Sequence, residues 1–230
     1  MKPDQLRQEV FEANLRLPES NLIILTWGNV SGFDRESGLL AIKPSGVQYS
    51  EMKVDDIVIC DLDGNIVEGK MKPSSDLLTH IELYRNFDGI AGICHTHSRY
   101  ASAWAQALRD IPAIGTTHAD YFYGNIPCTR ILSAEEVDSD YERNTGRVIC
   151  ETFTGIDPLS VPAVLVASHG PFTWGESAAR AVENSLVLEE IAQMAAISFS
   201  LGDIKNMDRY LLDKHYLRKH GKDSYYGQKQ

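Results

Sequence analysis

The stretch SSDLLTHIELYRNFDGIAGICHTHSRYASAWAQALRD, residues 74–110, contains three successive hydrophobic patterns. Residues 74–87 and 98–110 have apolar side chains at helical spacing. Residues 89–97, GIAGICHTH, are typical of a buried strand because most of them are apolar. A helix, a buried strand and a second helix in succession are typical of α/β architecture. The stretch therefore predicts an α/β protein in which helices flank the sheet.

The predicted central strand ends in two histidines, His95 and His97. Side chains two residues apart on a strand share one face and lie roughly 7 Å apart along it, which suits one metal ion. His169 ends a second apolar strand, AVLVASH at residues 163–169, and strand ends of α/β sheets commonly gather ligands. Three histidines without a cysteine match a catalytic zinc-type site, which keeps one coordination position open. The alternative is a set of hydrogen-bonded or surface histidines, and His118 is a spare candidate with weaker strand context.

Periodicity and turn signals predict the remaining elements. The first helix is predicted to end at Pro18, and the segments that follow it suggest antiparallel pairing. The predicted elements are a helix over residues 5–17, strands within 22–32 and 39–46, a hairpin over 56–69 around Asp63-Gly64, a short strand at 126–129, a helix from the capping box of Ser133 and Glu136, a long helix within 176–201 and a last helix near 207–220.

Composition restricts the class of protein. The chain has 230 residues, of which 43% are hydrophobic and 23% charged, and this predicts one domain over residues 1–230. A net charge of −10 would repel nucleic acid. The sequence has no stretch of about 18 apolar residues. Neither a membrane span nor a leader is therefore predicted, and no membrane partner is expected. The four cysteines have no CxxC spacing and are interpreted as buried thiols of a reducing compartment, which predicts a cytoplasmic protein.

The tripeptide Lys-Pro-Ser occurs twice, at residues 43–45 and 72–74. The second copy opens a helix, so Ser74 or Ser75 is the expected N-cap, and the free amides there would suit a phosphate group. Plain capping and a simple turn explain the two copies equally well, and neither copy forms a Walker loop or a dinucleotide motif. Together with a metal ion, the two copies suggest a small phosphorylated substrate.

The motifs in combination resemble those of the class II aldolase/epimerase family, from the first helix to the last residues. The motifs are TWGNVS (26–31), KPSGV (43–47), KPSSD (72–76), HTHS (95–98), GTTHADYFYG (115–124), IPCTR (126–130), SHGPFTWG (168–175), DKHYLRKHG (213–221) and YYGQ (225–228). The resemblance implies a single-domain α/β/α sandwich with a central mixed, largely antiparallel β-sheet flanked by helices. It also implies a homotetramer whose active sites lie between adjacent subunits.

The resemblance assigns roles to residues that match its motifs. It implies a zinc ion, or another divalent ion, one per subunit, held by His95, His97 and His169 with Asp76. Asp120 and Tyr226 would be the acid/base pair, with the tyrosine reaching across from the neighbouring subunit. The residues implied to bind the sugar phosphate are Gly28, Asn29, Lys43, Ser45, Gly46, Ser74, Ser75, Thr116, Thr117 and His215.

The activity that the resemblance implies is interconversion of L-ribulose 5-phosphate and D-xylulose 5-phosphate in arabinose or ascorbate catabolism. The hydrogen on carbon 4 lies beta to the carbonyl, so removing it would leave an unstabilised carbanion. Retro-aldol cleavage between carbons 3 and 4 places the charge on an enediolate that a metal ion can stabilise. Because a phenol is a poor base at neutral pH, the metal or a nearby cation is expected to assist Tyr226, and His215 is one candidate.

Two rival functions remain open on the sequence. One is a class II aldolase that releases the aldehyde, although Asp76 stands where the sugar-phosphate aldolases of the family typically have glutamate. The other is an adducin-like interaction module without catalytic metal ligation. The three histidines, Asp120 and Tyr226 argue against that second function.

Overall fold

The computed structural model describes residues 1–222 and 224–227. The strands are β1 (Gly28–Asp34), β2 (Leu39–Ile42), β3 (Val58–Asp61), β4 (Ile66–Glu68), β5 (Gly92–Thr96), β6 (Ala163–Val166) and β7 (Gly170–Gly175). The α-helices are α1 (Pro3–Glu19), α2 (Leu77–Asn86), α3 (Arg99–Gln106), α4 (Thr116–Ala119), α5 (Ala134–Thr152), α6 (Ala178–Leu201) and α7 (Arg209–His220). The order α2, β5, α3 confirms the helix–strand–helix pattern predicted for residues 74–110.

The seven strands form one sheet in the order β4-β3-β2-β1-β5-β7-β6. Every pairing between neighbouring strands is antiparallel, so the expectation of a mixed sheet is corrected. The parallel contact in the structure is an isolated bridge between Cys128 and Leu165. It lies at the predicted strand of residues 126–129. That segment forms two isolated bridges, from Ile126 to Ile111 and from Cys128 to Leu165, and no regular strand.

Helices pack on both faces of this sheet. Successive strand side chains point to opposite faces, so Leu40 and Ile42 belong to one core cluster and Ala41 to the other. The first cluster includes apolar side chains of α2, α3, α5 and the later turns of α6, and the second includes those of α1 and the first turn of α6. The α/β/α sandwich is therefore the observed architecture.

Several element boundaries differ from the sequence prediction. Helix α1 continues through Pro18 to Glu19, because a proline in the last turn removes only one donor from the helix. The first strand begins at Gly28 instead of Leu22, since Leu25 has a φ of 56° that no strand accommodates. Helix α2 begins at Leu77, so the residue at its N-cap is Asp76 and not Ser74 or Ser75.

Other predictions are confirmed or corrected in part. Ser133 and Glu136 form the expected capping box at the start of α5. The four cysteines are unpaired, but only Cys60 and Cys94 are fully buried, whereas Cys128 and Cys150 are half-buried. No helix within the described ranges has the length and apolar character needed to cross a bilayer. The last residue of the YYGQ motif, Gln228, lies outside the described residues.

Candidate metal centre and active site

His95 and His97 present their Nε2 atoms to each other at the end of β5. His95 is 1% exposed, and its Nδ1 donates to the carbonyl oxygen of Pro171 at 2.9 Å, so that Nε2 is the ring nitrogen left to face the other histidines. That Nε2 lies 3.1 Å from Nε2 of His97. The two ring nitrogens are thus much closer than the roughly 7 Å that separates residues two apart on a strand, because both rings turn toward each other on one face of the sheet.

His169 joins them from the turn between β6 and β7. Residue 168, a serine in the left-handed region with φ of 61°, sharpens this turn so that His169 faces the end of β5. The ring centroid of His169 lies 4.7 Å from that of His95 and 5.0 Å from that of His97. One potential ligand atom from each of the three histidines lies within 4.8 Å of the others. The three histidines therefore converge, as the sequence prediction assumed.

The protonation of these histidines suits metal binding. Burial, together with the neighbouring His95, lowers the pKa of His97 to about 4 and that of His169 to about 3. Both rings are therefore neutral at physiological pH and carry free lone pairs. Metal–nitrogen bonds of about 2.0–2.1 Å in a tetrahedron put neighbouring ligand nitrogens roughly 3.3 Å apart, close to the 3.1 Å between the Nε2 atoms of His95 and His97. The donor set fits one divalent ion with a coordination position left open.

Asp76 lies beside the three histidines but outside their group of ligand atoms. Its Oδ2 accepts from Nδ2 of Asn29 at 2.7 Å, and Asn29 pairs with His95 across β1 and β5. Burial pushes the pKa of Asp76 up, but the neighbouring imidazoles of His95 and His80 and the Asn29 hydrogen bond outweigh it and leave that pKa below its ordinary value. Asp76 is thus an ionised carboxylate adjoining the metal centre.

The two Lys-Pro-Ser copies lie side by side. Pro44 and Pro73 form an antiparallel bridge, the amide of Ser45 donates to Lys72 O at 3.0 Å, and the amide of Ser74 donates to Lys43 O at 2.9 Å. Ser45, Gly46 and Ser75 are exposed, and Ser74 Oγ accepts from the amide of Asp76 at 3.3 Å. The predicted phosphate residues therefore converge next to the metal centre.

Lys43 and Gly28 belong to the same region. Lys43 is 2% exposed, its ammonium donates to Val47 O at 2.8 Å, and burial lowers its pKa to about 8. The ammonium also lies 4.7 Å from the ring centroid of Tyr49, whose hydroxyl donates to Gly28 O at 2.7 Å. Tyr49 thus joins the loop of the first Lys-Pro-Ser copy to the start of β1.

Asp120 belongs to a second cluster, between α4 and α7. Its carboxylate accepts from Nδ1 of His215 at 3.0 Å and from Arg218 at 2.8 and 2.9 Å, with the Lys219 ammonium at 3.4 Å. Burial raises the pKa of Asp120, but the hydrogen bonds from Arg218 and His215 and the charge of Lys219 outweigh it and hold that pKa below its usual range. The Tyr226 ring lies 4.9 Å from the Arg218 guanidinium and 4.5 Å from the Lys219 ammonium.

The second cluster has no hydrogen bond to the metal centre within the described part of the chain. Thr116 and Thr117 are exposed in the first turn of α4, four and three residues before Asp120. Tyr226 is 61% exposed. The predicted site residues therefore form two groups, with the metal and phosphate residues in one and Asp120, Tyr226, His215 and the two threonines in the other.

The remaining buried histidines have structural contacts. His118 donates from Nε2 to Gly124 O at 2.6 Å, and it is not part of the three-histidine group. His80 shares a hydrogen bond of 2.7 Å with the hydroxyl of Ser31, which also contacts the Tyr84 hydroxyl. The alternative of a hydrogen-bonded structural histidine therefore describes His118, the spare candidate.

Sequence reasoning missed the cations that contact Asp120 and Tyr226. It assigned the supporting role to His215, yet Arg218 and Lys219 are the cations that contact both members of the pair. The basic run HYLRKH before the YYG motif was the available signal. The position of Tyr141, whose hydroxyl lies 3.5 Å from Nδ1 of His169, had no signal in the sequence.

An α/β/α sandwich that gathers three histidines at the end of an antiparallel sheet defines a class of metal-dependent enzyme folds. The family model described as Class II Aldolase and Adducin N-terminal domain matches residues 8–196. This chain belongs to that family. Enzymes of the family use a divalent metal for aldol chemistry, and the three histidines supply a matching donor set.

Individual relatives agree with this assignment. The chain is 55% identical over 226 residues to L-ribulose-5-phosphate 4-epimerase UlaF of Salmonella paratyphi B (strain ATCC BAA-1250 / SPB7), with 98% of this chain and 99% of the relative covered. Its structure is similar to that of an L-fuculose 1-phosphate aldolase, with a TM-score of 0.80 and 28% identity over 94% of this chain and 96% of the other. It is also similar to l-fuculose-1-phosphate aldolase from Thermus thermophilus, with a TM-score of 0.66 and 25% identity over 86% and 95% of the two chains.

Proposed function

We propose that this protein is a metal-dependent epimerase that interconverts L-ribulose 5-phosphate and D-xylulose 5-phosphate by cleaving and re-forming the bond between carbons 3 and 4. The observation that carries the proposal is the convergence of His95, His97 and His169 in a chain that is 55% identical, over nearly its whole length, to a named 4-epimerase. Arabinose or ascorbate catabolism is the proposed setting, in the cytoplasm, for a single domain over residues 1–230.

The proposed metal is zinc, held by the three histidines with Asp76 as an additional ligand or a nearby base. When bound, the metal supplies a Lewis acid that stabilises the negative charge left on substrate oxygens by carbon–carbon cleavage. Nitrogen donors without thiolates suit zinc among several divalent ions. The hydrogen bond from Asn29 would fix the orientation of the Asp76 carboxylate beside the imidazoles.

The phosphate would bind at the paired Lys-Pro-Ser loops. The exposed hydroxyl side chains of Ser45 and Ser75 and the left-handed backbone at Gly46, with φ of 70°, make a cradle suited to an anion. The cation at Lys43 adds favourable charge. Holding the phosphate would keep the two-carbon aldehyde fragment from leaving while its carbonyl turns and presents the opposite face.

Asp120 and Tyr226 are proposed to move the proton on the aldehyde oxygen, one for each epimer. In one subunit they lie apart from the histidines, so they would serve the metal centre of a neighbouring subunit within a homotetramer. Thr116, Thr117 and His215 accompany them in the same cluster and would contact the substrate from that side. Arg218 and Lys219 provide the positive charge beside the phenol that the mechanism requires.

The test is to offer L-ribulose 5-phosphate to zinc-loaded protein and to follow D-xylulose 5-phosphate in a coupled assay, with a chelated sample as the control. Formation of the product only with metal supports the proposal. A metal-loaded preparation that forms none would contradict it. Sedimentation of the same preparation would test the tetramer.

The two rival functions give different results in the same preparation. An aldolase would release free glycolaldehyde phosphate in proportion to substrate consumed, whereas the epimerase retains it. An interaction module would contain no divalent metal when purified without a chelator. Metal analysis and an aldehyde assay therefore separate the three functions.

A further inference from the structure

The side chain of Tyr141 lies beside Nδ1 of His169. Its hydroxyl lies 3.5 Å from Nδ1 of His169, and the two rings are 6.4 Å apart between centroids. The corresponding nitrogen of His95 donates to a backbone carbonyl, that of Pro171. Metal-ligating histidines usually donate their second ring N–H to a partner that fixes the tautomer. For His169, the group in that position is a phenol.

A break in α5 places Tyr141 there. Asp140, with φ of −140° and ψ of 70°, interrupts the helical backbone immediately before Tyr141. Each residue of a regular helix turns the side-chain direction by about 100°, so this break changes which residues of the second half of α5 face the histidines. The kink contains no proline, and it must therefore be maintained by side-chain contacts.

Contacts to α2 maintain the break. Arg143 binds Asp140 at 2.9 Å and Glu82 of α2 at 2.8 Å, so one guanidinium joins the kinked residue to the neighbouring helix. The hydroxyl of Thr79 donates to the carbonyl oxygen of Glu142 at 2.6 Å, which satisfies an acceptor next to the break. Three polar contacts thus secure a helix interruption that is unfavourable by itself.

The phenol group of Tyr141 suits an accepting role, and its side chain is 36% exposed. A phenol oxygen has a lone pair to accept from an imidazole N–H and one proton of its own to donate elsewhere.

We infer that Tyr141 is a positioning residue for the metal centre: its hydroxyl oxygen accepts from Nδ1–H of His169 and so presents Nε2 of His169 to the divalent ion. The inference rests on the proposed function, because it concerns the same metal site. The separation of 3.5 Å is long for a hydrogen bond, and the inference requires it to shorten when the imidazole is fixed as a ligand.

The test compares Tyr141→Phe with Tyr210→Phe, which removes a hydroxyl from a side chain that is 73% exposed on α7. Zinc affinity is measured by competition with a chromogenic chelator, and the cobalt-loaded proteins are compared by their visible absorption. We expect Tyr141→Phe to weaken zinc binding by about 10-fold or more and to change the cobalt spectrum, with Tyr210→Phe unchanged. Equal zinc affinity and identical cobalt spectra for wild type and Tyr141→Phe would overturn the inference.

A second readout needs neither metal nor substrate. Long-range proton–nitrogen spectra of the metal-free protein report the tautomer of each histidine. In wild type we expect His169 to carry its proton on Nδ1, and in Tyr141→Phe we expect that preference to be lost. An unchanged tautomer would count against the inference. Absence of epimerase activity in wild type, with the tautomer shift still present, would instead reject the proposed function alone.

Discussion

The Arg218 guanidinium contacts both oxygens of the Asp120 carboxylate, at 2.9 Å and 2.8 Å, and joins the end of α7 to the end of α4. The same guanidinium lies 4.9 Å from the ring centroid of Tyr226. One cation therefore contacts both residues of the proposed acid/base pair. This arrangement explains how two groups 106 positions apart in the chain come to lie together.

Replacing Arg218 by glutamine should move the acidic limb of the pH–rate profile to higher pH. Asp120 must be ionised to accept a proton, and its cationic partners hold its pKa below the ordinary value against the effect of burial. Removing the guanidinium raises that pKa, so kcat/KM begins to fall at a higher pH as the solution is acidified. Arg209→Gln on the same helix is the control, because Arg209 pairs with Asp213 and not with Asp120. A profile identical to that of wild type would contradict the prediction.

Replacing Tyr226 by phenylalanine should lower turnover by about 10²–10⁴-fold, the usual contribution of a positioned proton-transfer group. Zinc content should stay at the wild-type level, because the phenol does not contact the histidines. Tyr225→Phe is a matched control, since Tyr225 is the neighbouring exposed tyrosine and lies near Lys214 instead. Steady-state kinetics and metal analysis check the pair of variants. Unchanged turnover in Tyr226→Phe would remove the phenol from the mechanism.

Metal removal should lower activity by more than about 100-fold, because a Lewis acid supplies several kcal/mol of charge stabilisation. His97→Asn should do the same and bind less zinc. His118→Asn should lower the melting temperature but keep the zinc content, since His118 donates to Gly124 O inside the fold. Metal analysis beside thermal unfolding separates these outcomes. Loss of zinc from the His118 variant, or full zinc in the His97 variant, would refute the assignment.

Replacing Gly46 by alanine should raise KM for the sugar phosphate and destabilise the fold by about 1 kcal/mol. Gly46 has φ of 70° and a Cβ there would meet nothing within 4 Å, so the cost is that of the left-handed backbone alone. Gly155→Ala is the control, because Gly155 has φ of 85° and equally open surroundings but lies away from the Lys-Pro-Ser loops. Denaturant unfolding should show similar losses in both variants. A raised KM in both, or in neither, would argue against a phosphate cradle at Gly46.

Local patterns in the sequence determined most of the elements. Helical spacing predicted α2, α3 and α6, the Asp63-Gly64 signal predicted the β3–β4 hairpin, and the capping box predicted the start of α5. These patterns succeed because spacing along a helix or strand fixes which side chains share a face. Motif resemblance then indicated the family and the candidate site residues, which spacing alone did not.

Tertiary structure decided which of these residues meet. His169 reaches His95 because a left-handed residue sharpens the β6–β7 turn, and the two Lys-Pro-Ser copies pair across 29 positions of the chain. The break at Asp140 and the contact of Arg218 with Asp120 depend on packing between helices distant in sequence. Local patterning cannot specify such contacts, because they depend on how packed helices and strands are placed relative to one another. The sequence by itself therefore determined the elements and the chemical groups, and the folded chain determined the convergence of the three histidines and the separate cluster around Asp120.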